Sequence, residues 1–223
     1  MLLTNPVYKG VTEDWFNPEW WGFRAQPVAA GGRGSAWFLD TDQGDMVLRH
    51  YRRGGLAARL SERSYLYTGW GRTRAVREFG LLEQLYGRGL PVPEPVAARA
   101  VLHGLFYRAA IIIRRIPAAA PWPDASRRLE GELWRSIGAM IRQFHEAGLD
   151  HVDLNCDNIL VTSAAVYLID FDRCRMLPPD TTARWRSGNL SRLKRSVDKR
   201  FSDLADSDRE RLWKSLEQGY ARS

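Results

Sequence analysis

The sequence predicts an α+β fold in two unequal parts: a small antiparallel sheet with one main helix, then a reduced, mainly helical part. Three observations carry this. Residues 26–113 hold short strand-like apolar runs separated by glycine and proline turns, with one amphipathic helix among them. Residues 134–220 hold three helical patterns and one short hairpin. The polar stretch His151 to Val161, followed by Leu168 to Asp172, sets Asp153, Asn158 and Asp170 at the mouths of that hairpin.

The bulk numbers bound the class. A chain of 223 residues, 44% hydrophobic with nine Trp, is long enough for one packed domain, with room for two lobes around a cleft. The longest aliphatic block, Ala109 to Ile113, is closed by Arg108 and Arg114, far short of a membrane span. The N-terminal MLLTNPVYKG lacks the charged and apolar regions of a secretory signal. Cys156 and Cys174 make no disulfide framework, and no close Cys/His cluster offers a structural zinc site. These features imply a cytosolic or cytosol-facing protein. A net charge of +7 attracts polyanions such as nucleic acid, acidic lipid, phosphorylated sugar or nucleotide, although a generically basic surface would show the same number.

In chain order, residues 1–25 form an N-terminal extension carrying Trp15, Phe16, Trp20, Trp21 and Phe23. Packing onto the domain is favoured over a membrane interface, because folding normally buries large aromatics. Gln26 to Asp40 reads as strand, glycine turn, strand, the turn being Gly31, Gly32, Arg33, Gly34 and Ser35. Met46 to Tyr51 is the next strand and presents Arg49. Residues 56–74 read as a short helix and a mobile loop, whose basic-aromatic mixture suits an anionic acceptor or plain solvent. The helix from about Ala75 to Tyr86 ends at Gly87 or Gly89. On it Glu78 shares the apolar face with Leu81, Leu82 and Leu85, so its carboxylate needs a partner, and Arg49 is the expected one.

Proline excludes helix from Leu90 to Pro95. Strands follow near Val96 to Val101 and Phe106 to Ile113, ending at Arg114-Arg115-Ile116-Pro117. Residues 118–128 read as a Pro/Ala linker and mark the lobe boundary, giving a first lobe of 26–117 and a second of 118–223. Trp134, Ile137, Ile141 and Phe144 mark the buried face of a helix that Gly148 ends. The last helices are expected near Leu190 to Phe201 and Asp208 to Tyr220. The first of these carries a narrow stripe of Leu190, Leu193 and Val197 within the densest basic run, which suits either an anionic bilayer or packing on the domain.

The spacing of the polar stretch points to phosphoryl transfer. H-x-D-L-x-x-x-N followed by D-F-x is the catalytic-loop and metal-binding pattern of a protein-kinase-like, bilobal fold. In it Asp153 orients an attacking hydroxyl, while Asn158 and Asp170 hold Mg2+ against the phosphates of ATP. Any one of these residues alone reads as an ordinary turn or cap residue; their joint register favours the kinase-like reading. His151 reads as a brace. Arg49 stands where such folds place a phosphate-binding lysine, with Arg52 and Arg53 as rivals, and the Gly31 to Ser35 turn stands where a nucleotide-covering hairpin belongs. Arg114 and Ile116 are the expected main-chain contacts to adenine. Asp172 replaces the usual glycine, either supporting the metal or solvated.

VLRHYRRGG (47–55), REF (77–79), LPVP (90–93), HVDLNCDNIL (151–160) and LIDFDRCR (168–175) together resemble the 3-deoxy-D-manno-octulosonic acid (Kdo) kinase family of Gram-negative bacteria, over about residues 26–200. The wider group includes lipopolysaccharide core heptose kinases. The resemblance implies ATP-dependent phosphorylation of the Kdo 4-hydroxyl on a lipid A precursor, at the cytosolic face of the inner membrane. It implies a peripheral contact with an anionic membrane surface, no nucleic acid and no obligate protein partner. A heptose kinase is the alternative within the group. A protein kinase is disfavoured because no A-P-E element or long activation segment follows Asp172. A non-catalytic nucleotide- or nucleic-acid-binding pseudokinase is suggested by Arg49 and the net charge, and opposed by the complete set Asp153, Asn158 and Asp170.

Overall fold

The computed structural model describes residues 1–28, 36–51, 64–179 and 181–221. Its contacts divide the chain into two units, Met1–Tyr86 with Pro93–Arg115, and Gly87–Val92 with Ile116–Ser223.

The first unit is built on strands β1 (Leu2–Thr4), β2 (Ala25–Pro27), β3 (Ala36–Leu39), β4 (Met46–His50), β5 (Tyr65–Leu66), β6 (Pro95–His103) and β7 (Phe106–Arg114). They form one seven-stranded sheet in the order β1-β6-β7-β4-β3-β2, with β5 on β7. Every pairing is antiparallel. The β3–β4 turn closes through Gly44, whose N–H donates to Thr41 O at 2.9 Å. Gly44 has φ +98°, and a Cβ there would meet the Arg114 guanidinium at 2.6 Å, so only glycine fits.

Strand alternation sends Met46 and Leu48 to one face, where they are buried with Tyr8, Trp15, Phe16 and Trp21. Arg49 and Tyr51 therefore leave from the other. The aromatic segment is thus core: Trp15 and Trp21 meet edge to face at 5.1 Å, and the Trp21 indole donates to Trp15 O at 3.0 Å. Only Trp20 and Phe23 of that cluster stay on the surface. Residues 1–4 go further than an extension and add β1 to the sheet edge, Leu2 opposite Arg99. Helix α1 (Pro18–Trp21) is a single turn; α2 (Arg74–Gly87) buries Ala75, Glu78, Phe79, Leu81, Leu82 and Leu85.

The expected loop before α2 needs correction. Tyr65 and Leu66 pair with Tyr107 and Phe106, and Trp70–Arg72 form a 3₁₀ turn. Alternating aromatics over so few residues gave too short a pattern to read as a strand. Arg52, Arg53 and the short helix expected near residue 56 lie outside the described residues, as do Gly31, Gly32, Arg33, Gly34 and Ser35.

The second unit contains β8 (Ala120–Pro121), α3 (Gly131–Glu146), β9 (Leu149–Asp150), β10 (Ile159–Val161), β11 (Val166–Leu168), β12 (Arg175–Met176), α4 (Arg184–Arg200) and α5 (Asp206–Ala221). The hairpin β10–β11 pairs Ile159 with Leu168, and β8 joins its edge. Residues 118–128 are therefore not a linker. Pro121 sits on an edge strand, which tolerates a missing donor. Trp122 is fully buried, 4.6 Å from the Trp134 ring and 5.3 Å from Phe201. Small and proline residues hid a packed turn whose anchor is one tryptophan.

Helix α4 begins at Arg184, well before Leu190, because its first turns are polar and carry no apolar period. Its stripe is inward: Leu193 and Val197 are fully buried, with Asn189 completing the row. Arg186 donates to His145 O, Lys194 reaches Asp198 and Glu210, and Arg200 reaches Asp157 and Asp124. The stripe packs within its own unit, so α4 has no apolar face to lay on a bilayer.

Helices α3 and α5 meet through glycines. A Cβ on Gly138 would lie 2.0 Å from Leu216 O, and one on Gly219 would lie 2.0 Å from Arg135 O. A single methyl must push two backbones apart. Gly138→Ala should therefore lower stability by about 1–3 kcal/mol, the usual cost of overpacking, read as a lower denaturant midpoint at unchanged m.

His145, near the end of α3, is buried; its Nδ1 lies 2.8 Å from the Tyr220 hydroxyl and its ring 4.9 Å from that of Trp185. Burial lowers its pKa to about 4, and the charge of Arg186 pushes the same way. With its folded pKa below the unfolded value near 6.5, the stability linked to His145 is complete above that pH and is lost as pH falls toward 4. The loss is on the order of 3 kcal/mol. Denaturation curves between pH 7 and 4 should show this slope, and His145→Gln should flatten it.

Candidate active site

In the first unit, Arg49 Nη2 contacts both carboxylate oxygens of Glu78, at 2.5 and 2.6 Å. The expected partner of the buried glutamate is thus present. The Tyr51 hydroxyl is a second donor group, 2.5 Å from Glu78 Oε2, and the Arg49 guanidinium lies 5.2 Å from the Tyr51 ring centroid. Glu78 is 4% exposed, so three close donor contacts are what an ionised carboxylate needs there. Sequence reasoning passed over Tyr51, although it lies two residues beyond Arg49 and strand period puts both on one face.

Arg114 is held through both its main chain and its side chain. Its main-chain N–H donates to Glu94 O at 2.8 Å, and its side chain donates to Gln43 O. Both contacts lie within the first unit. Ile116 begins the next segment of the second unit.

In the second unit the site is a loop held at many points. Gly148, at φ +87°, turns the chain out of α3, where a Cβ would meet Leu177 O at 2.9 Å. β9 then pairs with β12, Asp150 opposite Arg175. The Asp150 carboxylate is buried; Arg175 Nε and Nη2 both donate to Oδ2, at 3.1 and 3.0 Å, and Asn189 Nδ2 donates to Oδ1 at 3.0 Å. Asn189 Oδ1 in turn accepts the His151 N–H at 3.1 Å. His151 is a brace: its Nε2 lies 3.1 Å from Ile169 O, and its ring meets that of Phe171 at 5.4 Å. Burial keeps its pKa below the ordinary histidine value, so it is neutral at pH 7.

Asp153 follows on an exposed position, and two amides hold its backbone. Asn155 Nδ2 and Asn158 Nδ2 each donate to Asp153 O at 3.0 Å. Asn155 Oδ1 also accepts the N–H groups of Asp157 and Asn158, at 2.9 and 3.1 Å, capping the short Cys156–Asn158 turn. Ile169 N–H donates to Asn158 O at 3.0 Å, which brings Asn158 and Asp170 to the same end of the hairpin. Asp170 has φ +63°, a left-handed backbone rare for a non-glycine residue and tolerated best by Asp and Asn.

The donor set suits magnesium. With Nδ2 of Asn158 tied to Asp153 O, the amide oxygen is the atom left to ligate, and Asp170 supplies a carboxylate. Mg2+ takes one or two such oxygens plus phosphate oxygens and water. Among the described residues no group of three or more His, Cys, Asp or Glu could hold a metal by itself.

Sequence reasoning missed Asn189, Asp150, Arg175 and Asn155. Asn189 left a signal: it falls at i, i+4, i+8 with Leu193 and Val197, a polar residue on a buried stripe.

An antiparallel sheet with a helix glutamate gripping a strand cation, followed by a helical unit with this looped hairpin, has the protein-kinase-like fold. Two solved structures share it. One is WaaP in complex with acyl carrier protein, TM-score 0.56 at 18% identity, covering 98% of this chain and 89% of that one. The other is the Rio2 kinase-ADP/Mg2+-phosphoaspartate complex from Chaetomium thermophilum, TM-score 0.56 at 20% identity, covering 88% and 66%. The family model of the lipopolysaccharide kinase (Kdo/WaaP) family matches residues 18–220. Proteins named 3-deoxy-D-manno-octulosonic acid kinase, from Xylella fastidiosa (strain M23) and Xanthomonas campestris pv. campestris (strain B100), are each 46% identical over 213 residues, 93% of this chain and 85% of theirs. The chain belongs to the lipopolysaccharide kinase (Kdo/WaaP) family, and its enzyme class is phosphotransferase.

Because Asn189 joins Asp150 to His151, Asn189→Ala should cost about 1–3 kcal/mol, the penalty for leaving buried polar groups unmade. It should also slow phosphoryl transfer with little change in the KM for ATP. Thermal melts and steady-state kinetics measure both.

Proposed function

We propose that this chain transfers the γ-phosphoryl group of ATP to the 4-hydroxyl of Kdo on a lipid A precursor, at the cytoplasmic face of the inner membrane. The observation that carries the reading is the fixed loop, in which Asn155 and Asn158 both hold the main chain of an exposed Asp153. Relatives at 46% identity bear the name Kdo kinase, which favours this acceptor over heptose and over a non-catalytic role.

Asp153 accepts a hydrogen bond from the sugar hydroxyl, aligns its oxygen for in-line attack and takes its proton late. Asn158 and Asp170 are the metal-binding residues; Mg2+, when bound, neutralises phosphate charge and orients the transferring group. Arg49, oriented by Glu78 and Tyr51, steadies the α- and β-phosphates. Arginine in place of lysine offers several N–H donors in a plane, so one edge can hold Glu78 while others face phosphate. The glycine-rich segment Gly31, Gly32, Arg33, Gly34 and Ser35, outside the described residues, is assigned to the phosphates, and the main chain of Ile116 with the Arg114 carbonyl to adenine. Residues 1–223 act as one kinase-like domain.

The test is to incubate the protein with Mg-ATP and Kdo-lipid A precursor and follow phosphate addition to Kdo by mass spectrometry. Wild type should transfer. Asp153→Ala should fall by about 10²–10⁴-fold in kcat, the range for a lost general base. Transfer to a heptose-bearing core and none to Kdo would redirect the reading to the heptose acceptor.

A further inference from the structure

The β6–β7 hairpin ends on exposed apolar residues. Leu105 in the turn is 75% exposed, Leu66 on β5 is 56% exposed, and Phe106, Leu102 and Trp70 also reach solvent. Register puts Leu66, Phe106 and His103 in one row across three strands. Two residues back on the same face are Arg108 and Val101; two further back are His50, Ala110 and Arg99. This face is the one that the N-terminal aromatics cover elsewhere, opposite the Arg49–Glu78 pair. Here the cover stops at Phe16 and leaves a cavity of about 250 Å³, walled by His50, Arg99, His103 and Arg108. Glu13 pairs with Arg99, 2.9 Å from Nη2, yet Arg99 Nε is buried without a partner. Among the described residues, the side chains of Arg72, His103 and Arg108 have no hydrogen-bond or ion-pair partner.

We propose that this hairpin end is the membrane-docking element, that it inserts into an anionic bilayer leaflet, and that the cavity behind it receives a lipid head-group phosphate. The proposal rests on the lipid-borne acceptor argued above. The order of chemistry along the face selects a bilayer: apolar at the end, cationic behind it. Phe106 and Arg108 are separated by two strand residues, about 7 Å. An interfacial element sinks about 5–10 Å, so Leu105 and Phe106 would lie among acyl chains while Arg108, one same-face row further back, stands at head-group depth. Arg108 then meets anionic lipid without breaking any side-chain contact of the fold.

The experiment is co-sedimentation of the full chain with vesicles of phosphatidylcholine alone or mixed with phosphatidylglycerol. It is run beside phosphorylation of a deacylated, water-soluble Kdo acceptor. Wild type should sediment with the mixed vesicles only, less so at high salt. Leu105→Ser/Phe106→Ser should weaken this at least about tenfold, and Arg108→Glu about fivefold or more. Both variants should phosphorylate the soluble acceptor as wild type does. Undiminished sedimentation of the variants overturns the proposal, as does wild type that fails to bind vesicles while phosphorylating the soluble acceptor. A dimer that these substitutions dissociate, without vesicle binding, also overturns it and assigns the patch to a second copy. Loss of soluble-acceptor activity in both variants overturns it too, because the patch would then serve the fold or the reaction. Vesicle binding that needs the hairpin, with no Kdo phosphorylation by wild type, leaves the docking element standing and removes the proposed acceptor.

Discussion

A carboxylate sealed inside protein dictates its surroundings, and Asp150 does so for the second unit. An unpaired buried charge costs several kcal/mol, so donors must be brought to it. Arg175 arrives from β12 and Asn189 from α4. These two demands fix where the strand after the D-F-D turn runs and how α4 is rotated about its axis. Asn189 passes the constraint on to the His151 N–H, and His151 passes it to Ile169. The loop bearing Asp153 and the turn bearing Asp170 are thereby tied to the same buried group.

The first unit repeats the logic with other parts. Glu78 is buried on α2, and Arg49 and Tyr51 reach it from β4. Removing either donor takes a partner from a buried charge, so helix and strand are coupled electrostatically. Arginine makes this coupling tolerant. A guanidinium spreads its charge over a planar fork, whereas an ammonium concentrates it at a point.

Much of this was legible in the sequence, for identifiable reasons. Strand and helix periods located β3, β4, β6, β7, α2 and α3, and a glutamate on an apolar stripe announced its need for a partner. The motif residues Asp153, Asn158 and Asp170 stood out by joint spacing. Other parts were illegible because the signal was short or cooperative. β5 has two residues. The turn at residues 118–128 is anchored by Trp122, whose neighbours Trp134 and Phe201 are remote in sequence. Asn189, Arg175 and Asn155 act through contacts that no local period encodes. The left-handed Asp170 backbone is a consequence of closing the turn, which residue identity permits without requiring.

The glycine contact between α3 and α5 has a further consequence. Where helices meet through side chains, substitutions can slide one against the other. Where they meet main chain to main chain, as at Gly138 and Gly219, the spacing is set by atoms common to all residues. The direction in which α3 delivers the chain to β9 and His151 is then insulated from drift in the surrounding aromatic core. Robustness of this kind is bought by giving up all variation at the point of contact.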